Sequence, residues 1–144
     1  MYTDQTANAR YGRITLRIYA ALNGLLLIVV CAGLWFFTAR ANSHGIAPNT
    51  SLGFRSQHTL ASLHGWYVAQ RVGFHFAAIA DTIVTVVVLA IMAVAYIRFR
   101  PMWVLIAPII GGIAIAVCVI IAGHHADRAA ISVEAAVALT MADT

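Results

Sequence analysis

The chain has 144 residues, 62% of them hydrophobic and only 10% charged, with a mean hydropathy of +0.86. A soluble domain of this length carries about 25% charged residues, so the composition excludes an ordinary water-soluble globule and names the bilayer as solvent. The net charge is +4; all nine basic residues are arginines, scattered over the polar segments without a run, which argues against nucleic-acid binding.

The chain reads as a single membrane domain over residues 1–144. Residues 1–17 are polar, with Arg10, Arg13 and Arg17 before the first apolar segment. Span one covers 18–37, carries no charge, and is long enough to cross ~30 Å of hydrocarbon. It is too long for a cleaved signal peptide and is read as retained. Asn23 would bond across to another helix, Gly24 would allow close backbone approach, and Trp35 would sit at the far interface.

Residues 38–72 hold a loop rich in Asn, Ser, Gly and Pro, then a resumption of helix, with Thr59 as the expected N-cap. From Leu60 the helical pattern continues to Ile97. A helix of that length measures ~57 Å, well beyond the hydrocarbon. The part before residue 73 is therefore expected to lie at the interface as an amphipathic helix, bending near Gly65 or Gly73 into span two, 73–97. Arg98, Arg100 and Pro101 end that span. Span three, 102–123, contains Pro108, Gly111 and Gly112, which suggest close helix packing or a bend. The tail, 124–144, begins with His124 and His125 and ends in an Ala/Val-rich stretch with Glu134 that suits an amphipathic surface helix. The expected fold is all-α: three membrane spans with an interfacial helix before the second.

Three spans place the termini on opposite sides. Arg10, Arg13, Arg17, Arg98 and Arg100 fall on the N-terminal side; Arg40, Arg55, Arg71 and Arg128 fall on the other. That balance favours a multi-pass protein of the cytoplasmic membrane with a cytoplasmic N-terminus.

The six histidines (His44, His58, His64, His75, His124, His125) fall on one side or near its boundary. His64 and His75 would project from one helix face, which invites a haem or metal reading, as would His124 and His125. No His-x3-His, Cys-x2-Cys or Cys-x2-Cys-His spacing accompanies them. The expectation is therefore interfacial histidines, with no metal and no cofactor. Cys31 and Cys118 lie inside apolar spans and read as small buried hydrophobes. Asp81 is the one acid within a span, a functional candidate by default, with Arg55 or Arg71 as its expected partner. Nucleophile elbows, HExxH and paired carboxylates do not occur, so the chain reads as non-enzymatic.

The polar island between the first two spans contains Asn49, Gly53, Arg55, Thr59, Ser62, Trp66, Gln70 and Gly73. Gly53 would permit a backbone angle or contact that a side chain blocks. Arg55 offers a planar fork for a carboxylate, a carbonyl or a lipid phosphate. Trp66 would anchor at interface depth. Read structurally, the island is a rigid loop clipped over the bundle.

Asn49, Gly53, Arg55, Thr59, Ser62 and Trp66 together resemble the motif of the SdpI family of small bacterial membrane proteins. Ser56 stands where that family commonly has Thr, and Gln70 where Asn is common. The resemblance covers roughly residues 46–125. It implies a non-enzymatic immunity or signalling role, with the island docking a peptide or protein at the membrane boundary. A second expectation is a small accessory subunit of a larger transporter or respiratory assembly, with Gly24, Pro108, Gly111 and Gly112 marking packing faces. A third is a haem- or metal-binding anchor subunit. The expected partners are membrane lipids and another membrane protein or peptide.

Overall fold

The computed structural model describes residues 2–48, 51–98 and 100–142, with side chains from Tyr11 onward. It comprises three helices, α1 (Tyr2–Asn42), α2 (Leu63–Ile97) and α3 (Pro101–Ala142). Each is long and apolar enough to cross a membrane, so the chain is an all-helical, multi-pass membrane protein. Among the described residues there is no strand.

The expected boundaries change in three places. The polar N-terminal segment is not separate from span one but continuous with it in α1. Residues 63–72 are the first turns of α2 itself, and among the described residues no separate interfacial helix precedes them. α3 runs through 42 residues to Ala142 and takes in the tail. Its distal part is rich in alanine, the strongest helix former, and contains no proline beyond Pro108. At 1.5 Å per residue α3 measures ~63 Å, so it projects well past the hydrocarbon.

α2 is the central helix, packed on both α1 and α3, while α1 and α3 barely touch. Its seam with α3 is antiparallel and built from small residues. Ala69 clusters with Ala126 and Ala130 at one end, and Val88 meets Gly111 further along. A Cβ at Gly111 would lie 2.6 Å from Val88 Cγ2, so only glycine lets the backbones approach this closely. Gly112 does not share that role; nothing would meet its Cβ within 4 Å. Gly24 is buried, yet a Cβ there would make ordinary contact with Leu89 at 3.5 Å.

Polar ties join α1 to the other two helices. Pro108 is buried within α3 and cannot donate to the carbonyl one turn back. In that turn the Tyr19 hydroxyl donates to the Leu105 carbonyl at 3.1 Å. That bond ties α1 to α3 beside the proline; the carbonyl that loses its helical donor to Pro108 is that of Val104. Thr82 gathers a second set: Trp35 Nε1 donates to its hydroxyl at 3.0 Å, and the Cys31 sulfur lies 3.4 Å away. Thr38 donates to the Phe74 carbonyl at 3.0 Å. Asn23 does not reach across; its amide donates to the Tyr19 carbonyl of its own helix at 2.9 Å. Cys31 and Cys118 are free, half-buried thiols.

The seam predicts unequal effects at adjacent glycines. Gly111→Ala lowers stability by about 1–3 kcal/mol through overpacking against Val88, while Gly112→Ala leaves it nearly unchanged. Val88→Ala in the Gly111→Ala background recovers part of the loss. Thermal unfolding in detergent reads all three; equal losses at the two glycines would contradict the seam.

Candidate functional site: a loop clasped to the helix ends

α1 ends in a Schellman-type turn. Gly45 N–H donates to the Arg40 carbonyl at 2.8 Å and His44 N–H to that of Ala41 at 3.3 Å. The left-handed position falls on His44, at φ 56°, rather than on the glycine that follows. This turn directs the chain back over the bundle, where Ile46 is buried. Trp66 meets it there. Its indole is 0% exposed, and Nε1 donates to the Ile46 carbonyl at 2.7 Å. Trp66 is therefore an interior post beneath the loop, not an anchor facing lipid head groups. An indole whose single donor is taken by a backbone carbonyl is stable inside the protein.

Gln70 fastens the next segment. Phe54 N–H donates to Gln70 Oε1 and Gln70 Nε2 donates to the Phe54 carbonyl, each at 2.8 Å. One fully buried amide thus satisfies both backbone groups of one residue, as a neighbouring strand would. Gly53 makes the approach feasible. Its φ is +112°, and a side chain there would overlap the Gln70 amide. Once held, Phe54 lays its ring on Gly73, where a Cβ would come within 2.5 Å of the ring and 3.0 Å of Ala126. The ring also packs on Phe74 (centroids 5.1 Å), which stacks with Phe37 of α1 (5.5 Å).

A hydrogen-bonded turn follows. Ser56 N–H donates to Thr59 Oγ1 at 2.8 Å, and Thr59 N–H donates to Ser56 Oγ at 3.1 Å. Thr59 is buried in this turn and does not cap α2. The N-cap is Ser62, whose hydroxyl accepts from Gly65 N–H at 2.9 Å. Ser56 Oγ also donates to the Asp127 carboxylate of α3. His58 Nδ1 lies 3.5 Å from Glu134 Oε2 one to two turns further along α3. The extension of α3 beyond the membrane is thus the wall on which the loop rests.

Gly53, Thr59, Ser62, Trp66, Gln70 and Gly73 all belong to this clasp. Asn49 lies outside the described residues. Arg55 differs from the rest because it is exposed. Leu52 and Leu60 of the loop and Leu63 at the start of α2 are each about half exposed, at 51%, 47% and 62%. Phe54, Ile46, Asp127 and Glu134 complete the clasp and were not among the expected site residues. Phe54 had a visible signal, an aromatic between Gly53 and Arg55 in an otherwise polar stretch. The carboxylates of α3 had none, since their partners are more than seventy residues away.

Asp81 sits deeper on α2, 1% exposed. Neither Arg55 nor Arg71 reaches it. Its two carboxylate oxygens have no hydrogen-bond partner among the described residues, and neither does the hydroxyl of Thr85 one turn on. Arg71 is on the exposed face of the helix, beside a groove it shares with Asn42 and His75. The histidines are dispersed. His75 meets Trp35 edge-on, His44 meets Tyr67, and His125 lies against Phe76. His64 and His124 are exposed. Among the described residues no three His, Cys, Asp or Glu side chains converge as a metal site would require. No family model, curated protein or solved structure matches the chain.

Two outcomes test this geometry. Gln70→Leu leaves the Phe54 backbone groups unpaired and costs about 1–3 kcal/mol. Hydrogen exchange should then accelerate across residues 51–62 while the helix interiors stay protected; unchanged loop protection would refute the clasp. Asp81→Asn removes a buried, unpaired carboxylate and raises stability by about 1 kcal/mol, read as a higher unfolding midpoint in detergent. A fall instead would mean the carboxylate has a stabilising partner.

Proposed function

We propose that the chain is a non-enzymatic SdpI-like membrane protein of the immunity or signalling type. In this reading the outer surface of the loop recognises a peptide or protein at the membrane boundary. One observation carries it: the motif divides into a buried scaffold and an exposed remainder. Gly53, Thr59, Trp66, Gln70 and Gly73 are spent on holding the loop, while Arg55 remains exposed. A loop rigid before binding loses less entropy on docking. Arginine is among the residues that dominate binding energy at interfaces, and its fork suits a backbone carbonyl or a terminal carboxylate. Trp66 and Gln70 serve this site by positioning Arg55 and do not themselves contact the partner. The accessory-subunit reading rests on exposed apolar helix faces, which lipid covers equally well.

Deletion of the protein should sensitise cells to a membrane-active peptide toxin. Arg55→Gln should fail to restore resistance, with partner affinity reduced about tenfold at an unchanged membrane level. Gly112→Ala should restore it fully. Full protection by Arg55→Gln would remove the proposed role of that residue.

A further inference from the structure

The opposite end of the bundle carries a second site. There the beginning of α1 meets the end of α2 and the start of α3 around a groove of about 750 Å³. Arg13, Arg17 and Arg100 line it, with Leu16, Tyr96 and Ile97 among its other walls. Arg17 Nε donates to the Tyr96 hydroxyl at 2.7 Å, which holds that guanidinium against the wall. Arg98, the C-cap of α2, lies beside the groove and adds a further positive charge. Among the described acidic side chains, Asp127 and Glu134 lie at the loop end and Asp81 midway along α2.

We infer that this groove binds the head group of an anionic phospholipid from the adjoining leaflet. Three arginines converging on one groove match a phosphate by charge and by the fork geometry of guanidinium. The position argues for a lipid rather than a soluble anion. Arg17 immediately precedes Ile18, where the apolar stretch of α1 begins, and Arg100 immediately precedes the apolar start of α3. The groove is therefore at head-group level. Leu16 and Ile97 continue it with apolar surface on which an acyl chain can lie. Basic pockets between helices at this depth are the physical form that anionic head-group recognition takes. The site is separate from the loop and does not depend on the function proposed for it.

Native mass spectrometry of the full chain, released from mixed micelles of phosphatidylglycerol and phosphatidylcholine with matched acyl chains, tests this. The wild-type protein should retain phosphatidylglycerol preferentially, by about fivefold for each arginine engaged. The preference should vanish in Arg13→Gln/Arg17→Gln/Arg100→Gln and persist in Arg40→Gln/Arg71→Gln, which alters the other end. If the triple variant does not fold, the wild-type preference should still collapse as salt rises, because head-group binding is ionic. Equal retention of the two lipids by the wild type would overturn the inference. So would a preference that survives in a folded triple variant, or displacement of the lipid by equimolar inorganic phosphate.

Discussion

The loop end depends on one side-chain amide. Gln70 is fully buried, and its carbonyl and amino groups are taken up by the N–H and C=O of Phe54. Either backbone group left unpaired at that depth would carry the desolvation penalty of a buried polar atom. Because the amide satisfies both, an irregular segment can run over a helix surface without a strand beside it. The rest follows from that contact. Gly53 must have a positive φ and no side chain, or the amide could not approach. Phe54 is then committed to the bundle, and Gly73 must be bare to receive it. The Phe54–Phe74–Phe37 ring contacts extend the same lock to α1.

The helices beneath are held by close approach, by local polar ties and by an apolar cluster in which Leu27, Val88, Met92 and Val104 meet. This is the expected balance where lipid tails compete with any apolar side chain for the same surface. The α2–α3 seam uses alanine and glycine to bring backbones together. α1 is attached through hydroxyl, indole and guanidinium hydrogen bonds placed along its length. Most of its leucines and valines face outward, as residues in contact with acyl chains do.

The two ends of the bundle differ in chemistry. The loop end mixes histidines, arginines and the carboxylates of Asp127 and Glu134, several of them paired across elements. The other end gathers Arg13, Arg17 and Arg100 around one groove. Asp81 lies between them, a buried carboxylate with no charged partner among the described residues, which is an unusual burden for a membrane helix.

The sequence by itself determined the solvent and the number of spans. Apolar runs of this length have few alternatives in water, and proline with paired arginines marks the turn between α2 and α3. It also marked Gly53, Trp66, Gln70 and Gly73 as members of one polar island, with Ser62, Trp66 and Gly73 at helical spacing. Their roles were decided only by tertiary structure. Whether Trp66 faces lipid or Ile46 depends on where the loop returns, and that return is set by the turn at His44. Ser62 rather than Thr59 caps α2, since Thr59 is already engaged with Ser56. The continuation of α3 past the membrane was hidden for a related reason. An alanine-rich segment is compatible with either a surface helix or an extended one. What gives the extension its place is its packing against the loop, through Ala126, Asp127, Ala130 and Glu134, residues whose partners lie far away along the chain.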